Sequence, residues 1–457
     1  MLSLETLFKP QIHAKATELY GDILPPFVSD RIEEELEYAA ASGADTVMLA
    51  VSDAFREAGL DAGDVSIRGA VGNSFLAYLL GVNGGINPLP PHYRCAHCKN
   101  SEFDVPEGVR VGVELPEKVC PVCGKPMTGE GFDLEPWFFY GPPQKHSADF
   151  NYNIPSGKID AVMDTLQKIE GVPDVEQTGV LKMQFSESAT LHLLTTQTTD
   201  QLSALASLTG IRPGQIPLVD SSETLPVRET LQQGGSFVGV RELMERYAEK
   251  VLAHFKLIGL YDMARLFAIC YGTGVWLGNG ERLLKNATIA QNELPTCRED
   301  IFAYLKKFGF DRETAFVYAE RIRKGKGFSE EQKEELLSRG VPMWFIGYCN
   351  RIRYLFPMAH CISAAIMAWR LLYYKLRVDQ GKFYQAFFAT AEELNEEVCL
   401  SIANGESDVI STLESSMRGF SLKGWTQEGE YALLVAMEMM EEGFAIRKYF
   451  RDALKKT

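Results

Sequence analysis

Two pairs of cysteines constrain the fold of this 457-residue chain more than any other feature. Cys95 and Cys98 form one C-x2-C pair, and Cys120 and Cys123 form a second pair after the intervening residues 99–119. This spacing predicts that four thiolates share one tetrahedral Zn²⁺, with Gly124 in the tight turn after the second pair. Because the protein fills all four positions, the ion has no open site for water and is predicted to be structural. The alternative is four incidental buried thiols.

The charge balance limits the ways in which the protein can bind nucleic acid. Lys and Arg total 46 and Asp and Glu total 61, which gives a formal net charge of −15. Proteins that coat nucleic acid through bulk positive charge need clustered Lys and Arg, so that class is excluded. A local basic groove on an acidic body remains compatible with the composition. With 11% aromatic residues, the chain is also expected to fold rather than remain disordered.

The composition of the N-terminal residues and the length of the apolar stretches predict the compartment of the protein. Residues 1–20 contain charged side chains and no apolar core of the kind found in signal peptides. The longest apolar stretches, such as residues 361–369, are far shorter than the roughly 18 residues that span a bilayer. We therefore expect a cytoplasmic protein without a membrane segment.

Hydrophobic patterns predict an α+β fold. Up to about residue 228, segments with helical and strand periodicity alternate, whereas from residue 229 onward the pattern is almost wholly helical. Residues 28–42 are predicted to form a helix, and the Val-rich run at residues 45–51 is predicted to form a buried strand. The alternating runs at residues 149–154 and 180–185 predict two more strands.

Several sequence blocks resemble the PolC-type α subunit of bacterial DNA polymerase III, a replicative polymerase of the C family. They are residues 15–22, 67–75, 87–93, 274–279, 323–327 and 353–360, together with the cysteine pairs. The resemblance extends to about residue 386. It implies a polymerase-β-like nucleotidyltransferase palm with an inserted zinc ribbon, followed by a mainly α-helical fingers domain. The expected boundaries are 1–90 and 136–228 for the two parts of a shortened palm, 91–135 for the ribbon and 229–457 for the fingers.

The resemblance also implies a catalytic site that has lost two of its carboxylates. In the family, three aspartates hold two Mg²⁺ ions that activate the primer 3′-OH and stabilise the leaving pyrophosphate. The positions that match are Asp149, Asn151 and Gln184. Two amides therefore replace two metal ligands, and the family has a much longer stretch between residues 153 and 180. Other acidic residues lie nearby in sequence at Asp160, Asp164 and Glu187, but their spacing does not favour a replacement role.

Nucleotide-binding positions of the family are partly retained. The matching residues are Arg68, Gly69, Gly72, Ser74 and His360. The resemblance implies that they cradle the incoming triphosphate, a role that suits the backbone N–H groups at the start of a helix. The alternative is a strand-to-helix turn that needs its glycines only for packing.

Two short basic runs are candidate contacts to DNA phosphates. They contain Arg321, Arg323, Lys324, Lys326, Arg351 and Arg353. The alternative is that they are exposed helix ends, where cations interact favourably with the helix dipole. Met358 stands where the family has a lysine, so one expected phosphate-binding charge is absent.

These observations favour a catalytically inactive homologue over an active enzyme. Such a protein would keep a structural Zn²⁺ and bind primer–template DNA, a nucleotide or replisome proteins. Mg²⁺ is the catalytic ion of the family, and the two amides argue against its binding here. An active DNA-directed DNA polymerase is the alternative. A third hypothesis, a decaying fragment without function, is opposed by the intact cysteine pairs.

Overall fold

The computed structural model describes residues 4–168, 176–177, 181–219, 221–391 and 427–443, and it has a mixed α+β fold. The helices are α1 (Leu4–Tyr20), α2 (Pro26–Ser42), α3 (Ala44–Glu57), α4 (Phe75–Leu79), α5 (Trp137–Tyr140), α6 (Ile159–Leu166), α7 (Gln197–Thr209), α8 (Leu225–Gln233), α9 (Arg246–Leu252), α10 (Leu260–Tyr271), α11 (Glu281–Lys285), α12 (Arg298–Lys307), α13 (Arg312–Arg323), α14 (Glu330–Ser338), α15 (Met343–Cys349), α16 (Met358–Tyr373), α17 (Gln380–Ala389) and α18 (Gln427–Glu441). The strands are β1 (Ser66–Arg68), β2 (His92–Arg94), β3 (Ser101–Glu102), β4 (Lys118–Val119), β5 (Pro126–Glu130), β6 (Ala148–Ile154), β7 (Glu176–Gln177), β8 (Leu181–Gln184) and β9 (Ala189–Thr195).

The first sheet has the strand order β1-β6-β9-β8-β7. Its central pair, β6 and β9, is parallel, and the other neighbours are antiparallel. Along β6, Phe150 and Tyr152 are fully buried on one face, where the Tyr152 ring packs edge-on against Phe55 of α3. Asp149 and Asn151 point to the other side because side chains alternate along a strand. We call the side that carries Asp149 the open face.

The predicted strand at residues 45–51 is wrong, because this segment lies within helix α3. Its apolar residues are spaced by three and four positions, so they form one buried stripe on a helix. The buried side chains of α3 are Ala44, Val47, Met48, Ala50, Val51, Ala54 and Phe55. The short Val-rich window suggested a strand, but the wider periodicity is helical. The predictions at residues 28–42, 149–154 and 180–185 are confirmed by α2, β6 and β8.

The second sheet is small and carries the four cysteines of the two C-x2-C pairs at its end. Its strand order is β3-β2-β5-β4, and all its neighbouring strands are antiparallel. Tyr93, Leu115 and Met127 form its apolar core together with Cys95 and Cys120. This core is separate from the main hydrophobic core of the protein.

Helix α16 is buried along most of its length and packs against α8 and α10. Ser363 of α16 connects this helical part to the first sheet, since its hydroxyl accepts a hydrogen bond from the Ile67 backbone N–H at 2.9 Å. The region predicted at 229–457 extends into residues 392–426 and 444–457, which lie outside the described residues. Among the described helices, none is long and apolar enough to cross a membrane.

Candidate functional site

A first row of side chains on the open face contains Asp149 and Gln184, two of the positions aligned with metal ligands. Thr190 of β9 lies between them, opposite Asp149 on β6 and opposite Gln184 on β8. The Thr190 hydroxyl donates a hydrogen bond to Gln184 Oε1 at 3.2 Å, and Gln184 Nε2 donates to the backbone oxygen of Ser186. Neutral partners therefore hold the Gln184 amide, and the Asp149 carboxylate is the one formal charge in this row.

A second row crosses four adjacent strands and contains Lys182, His192, Asn151 and Arg68. His192 lies between Lys182 on β8 and Asn151 on β6, and Arg68 of β1 lies opposite Asn151. Lys182 and Arg68 are exposed, whereas His192 and Asn151 are half-buried. Burial lowers the pKa of His192; Asp149 acts against this effect, while Lys182 and Arg68 add to it. These four residues thus include two permanent cations and no carboxylate, and Glu176 of β7 comes next in the register, opposite Lys182.

The other predicted carboxylates do not complete a metal site on the open face. Asp160 and Asp164 lie on α6, which packs against α3 on the covered side of the sheet. Glu187 lies exposed in the turn between β8 and β9. The strand beside β6 presents Thr190, His192 and Leu194 to the open face. Of the open-face side chains on β1, β6, β8 and β9, Asp149 alone is a carboxylate.

The turn before α4, predicted as a phosphate cradle, is occupied by Glu35 of helix α2. The fully buried Glu35 carboxylate accepts hydrogen bonds from the Phe75 backbone N–H and from the Ser74 hydroxyl, each at 2.9 Å. Ser74 also caps α4 by accepting a hydrogen bond from the Ala77 N–H at 3.1 Å. A Cβ atom on Gly72 would lie 2.9 Å from the Cβ of Ala359. These contacts favour the packing interpretation for Gly72 and Ser74.

Three of the predicted nucleotide-binding residues do meet at the edge of the open face. The Gly69 backbone, which has a φ of +75°, donates a hydrogen bond to His360 Nδ1 at 3.2 Å. Burial, with a smaller contribution from Arg68, lowers the pKa of His360 to about 4. The rings of Tyr271 and Phe356 pack against the imidazole at centroid distances of 5.5 and 5.3 Å. His360 is therefore neutral at physiological pH, with Nδ1 as acceptor and Nε2 carrying the hydrogen.

A cavity of about 230 Å³ lies beside His360 at the carboxyl ends of β6 and β9. Polar side chains from both the first sheet and the helical part line it. They include Ser66, Asn153, Thr196, Thr198, Arg241 and Glu242.

The two basic runs, separated in sequence, lie together in the structure. The Leu355 backbone N–H donates to the Arg323 backbone oxygen at 3.3 Å, and a Cβ atom on Gly325 would lie 2.5 Å from the Arg353 oxygen. The turn at residues 323–327 thus packs directly on residues 353–355. We call the six side chains Arg321, Arg323, Lys324, Lys326, Arg351 and Arg353 the basic patch.

Members of the basic patch differ in their exposure. Arg321 donates to the Gly327 oxygen at 2.6 Å, and Arg323 forms an ion pair with Glu320 at 2.8 Å, so these two half-buried residues stabilise the turn. The four exposed members are Lys324, Lys326, Arg351 and Arg353. Lys324 lies 3.7 Å from Glu320, and Arg351 donates to the Gly278 oxygen at 3.0 Å.

Met358 is buried at the start of α16, at the position where the family lysine is expected. Its backbone N–H donates to Glu299 Oε2 at 3.0 Å. The thioether therefore contributes to the core, and the helix start already has a carboxylate partner.

The four cysteines of the C-x2-C pairs form one cluster, as predicted. All four sulfur atoms lie within 4.8 Å of one another, and the Cys95–Cys123 and Cys98–Cys120 sulfur pairs are each 3.5 Å apart. Tetrahedral Zn²⁺ with Zn–S bonds of about 2.3 Å places its sulfur ligands about 3.8 Å apart. All four thiols are free of disulfides. This four-cysteine cluster therefore fits a single Zn²⁺ without an open coordination position.

Comparison with known proteins identifies relatives for almost the whole chain. The family model "Bacterial DNA polymerase III alpha NTPase domain" matches residues 6–238. The DNA polymerase III PolC-type of Listeria innocua is 27% identical over 529 aligned positions, which cover 95% of this chain and 36% of the relative. The Bacillus subtilis protein of the same description is 27% identical, with the same coverage of both chains. The Thermotoga petrophila protein is 26% identical over 94% of this chain and 38% of its own length.

The chain thus spans little more than a third of the length of these relatives. The alignment with the Listeria protein, at 529 positions, is longer than the 457-residue chain itself. The relatives therefore contain internal segments that have no counterpart here.

Proposed function

Because the chain belongs to the PolC-type DNA polymerase III α family, we propose that it is a polymerase-like protein that binds DNA without catalysing nucleotidyl transfer. One observation carries this proposal. Asp149 is the only carboxylate among the open-face side chains of β1, β6, β8 and β9. Two-metal catalysis needs anionic ligands for two divalent ions a few ångström apart, and a single carboxylate does not provide them.

The charges around Asp149 also disfavour divalent cations. Lys182 and Arg68 lie in the neighbouring row, so cations outnumber carboxylates among the open-face side chains of β1, β6, β8 and β9. A unit positive charge about 8 Å from a divalent ion raises its energy by about 4 kcal/mol at an effective dielectric constant of 20. That repulsion opposes Mg²⁺ binding, whereas the same charges attract phosphate.

In this proposal, the first sheet is the palm, the small sheet is a zinc ribbon and the helical part is a fingers-like domain. The four-cysteine cluster would hold a structural Zn²⁺ that stabilises the ribbon and takes no part in chemistry. Primer–template DNA would bind to the exposed members of the basic patch. The protein would act in the cytoplasm, alongside replisome proteins.

Of the predicted nucleotide-binding positions, Arg68, Gly69 and His360 remain candidates. Arg68 supplies a cation at the end of β1, and His360 supplies an N–H next to it. The hydroxyl of Ser74 is committed to Glu35 and Ala77, so we do not include it.

Binding and catalysis can be measured on one substrate. A fluorescent primer–template is titrated with the zinc-loaded protein at low salt without added Mg²⁺ or Mn²⁺, and the same duplex is then offered with nucleoside triphosphates and Mg²⁺ or Mn²⁺. The proposal predicts salt-sensitive binding and no primer extension. Template-directed extension that Asp149→Ala abolishes would overturn it and establish an active polymerase. Undetectable binding at low salt would overturn the DNA-binding part and favour a protein partner.

A further inference from the structure

We infer that the second row of the open face, formed by Lys182, His192, Asn151 and Arg68, binds the phosphate backbone of DNA directly and without a metal ion. The inference rests on the proposed function and assigns a second DNA contact, separate from the basic patch. Direct binding and metal-mediated binding predict opposite changes in DNA affinity when the charge of Asp149 is removed.

Strand register places the four side chains in one line. Each is directly opposite the next across the ladders that join β8, β9, β6 and β1. Adjacent strands lie about 4.8 Å apart, so the line extends for about 14 Å. A row of this length can contact two or three successive phosphates of one strand, because neighbouring phosphates lie farther apart along the wound backbone than the axial rise of about 3.4 Å per nucleotide.

The chemistry of the row suits phosphate oxygens. An ammonium, an imidazole, an amide and a guanidinium all offer N–H donors, and none of them needs a bridging cation. Lys182 and Arg68 are exposed, so a ligand that lies across β8, β9, β6 and β1 can reach both cations. Glu176 of β7 lies opposite Lys182 in the register, beyond this stretch of four strands. Gly69 follows Arg68, and a Cβ there would lie 4.0 Å from Asn151 Nδ2. That distance is ordinary van der Waals contact, so the φ of +75°, and not crowding, accounts for the glycine at this end of the row.

Asp149 acts against such a ligand. It lies two residues before Asn151 on β6, on the same face, and its negative charge raises the pKa of His192 against the effect of burial. In a metal-dependent site this carboxylate would be required for binding and catalysis. In a direct phosphate track it repels the ligand, so its removal should strengthen binding.

The test measures the DNA affinity of the zinc-loaded protein by fluorescence anisotropy at low salt, without added Mg²⁺ or Mn²⁺. We expect Asp149→Asn to raise the affinity about three- to tenfold and Lys182→Ala to lower it by a similar factor, since each changes one charge near the phosphates. Asp164→Asn is the matched control, because it removes the same charge from an exposed position on α6, on the covered side of the sheet. It should leave the affinity unchanged.

The results of this series distinguish a failure of the inference from a failure of the proposed function. If Asp149→Asn weakens binding or leaves it unchanged, or if binding requires added Mg²⁺ or Mn²⁺, the direct phosphate track is wrong. If in the same series Lys326→Ala with Arg353→Ala still reduces binding, the proposed function stands without the track. If the unmodified protein does not bind the duplex at all, both are wrong.

Discussion

The carboxylate of Glu35 accepts a hydrogen bond from the backbone N–H of Phe75 at 2.9 Å through each of its oxygens. Two hydroxyls, of Ser74 and Tyr140, donate to the same carboxylate, and Arg31 forms an ion pair with it. The start of α4 attracts an anion because its N–H groups are unpaired within the helix. Here the protein itself supplies that anion.

The Glu35 contact predicts a large stability effect. Glu35→Gln should lower the free energy of unfolding by about 2–4 kcal/mol, because it leaves the Arg31 charge and the N–H groups poorly paired in a buried site. Urea denaturation followed by circular dichroism measures this value. Glu33→Gln on the same helix, where the side chain is 58% exposed, should change it by less than about 0.5 kcal/mol. Equal effects of the two variants would contradict this account of the turn.

The four-cysteine cluster predicts one Zn²⁺ per chain and a metal-dependent fold of the small sheet. A strong chelator should lower the melting temperature, because a sheet with so small an apolar core depends on its metal for stability. Zinc content is measured by atomic absorption, and unfolding by thermal melting. Cys98→Ser should lose the metal, whereas Cys270→Ser, outside the cluster, should keep it. Full zinc content in the Cys98 variant would contradict the assignment.

His360 predicts a loss of stability in mild acid. Its pKa of about 4 in the folded protein lies below the value of about 6.5 in an unfolded chain. The unfolded state therefore binds more protons between these values, so stability is complete above pH 6.5 and declines as the pH falls towards 4, by about 1–3 kcal/mol. Urea denaturation at pH 7.5 and pH 5 measures the difference. His360→Gln should reduce this difference in the free energy of unfolding. If the variant shows the same difference as the unmodified protein, other groups cause the pH dependence.

The basic patch predicts the salt dependence of DNA binding. Replacing Lys326 and Arg353 together by Ala should weaken binding roughly tenfold at low salt, and it should reduce the slope of log affinity against log salt by about 1–2. Anisotropy titrations at several salt concentrations give both values. Lys9→Ala removes a charge from α1, where Lys9 pairs with Glu33, and should leave the slope unchanged. The same slope in all three proteins would exclude the patch as a DNA contact.

Local sequence patterns predicted the parts of the site that local spacing determines. The two C-x2-C pairs predicted the cysteine cluster, because each pair brings two thiols together within one turn. The alternation along residues 149–154 predicted the strand β6, on which Asp149 and Asn151 share a face. At residues 45–51 the same approach failed, since a seven-residue apolar window does not distinguish a buried strand from the buried face of a helix.

Contacts between distant segments could not be predicted in this way. Glu35 belongs to an acidic run that looks like a solvated helix surface, and only the packing of α2 against α4 brings it to Ser74. Lys182 and His192 were also missed, because strand pairing decides that they line up with Asn151. The run 189–195 did contain a usable signal. His192 lies two positions after Thr190, on the same face of an otherwise largely apolar strand.

The most direct test of the central claim is a Mn²⁺ titration of the zinc-loaded protein, followed by electron paramagnetic resonance of the free ion. With Asp149 as the single carboxylate among the open-face side chains of β1, β6, β8 and β9, this face should bind Mn²⁺ no more tightly than about 1 mM, and Asp149→Ala should not change the titration. Two Mn²⁺ ions bound at micromolar concentration, and lost in Asp149→Ala, would contradict the account and restore a two-metal polymerase site.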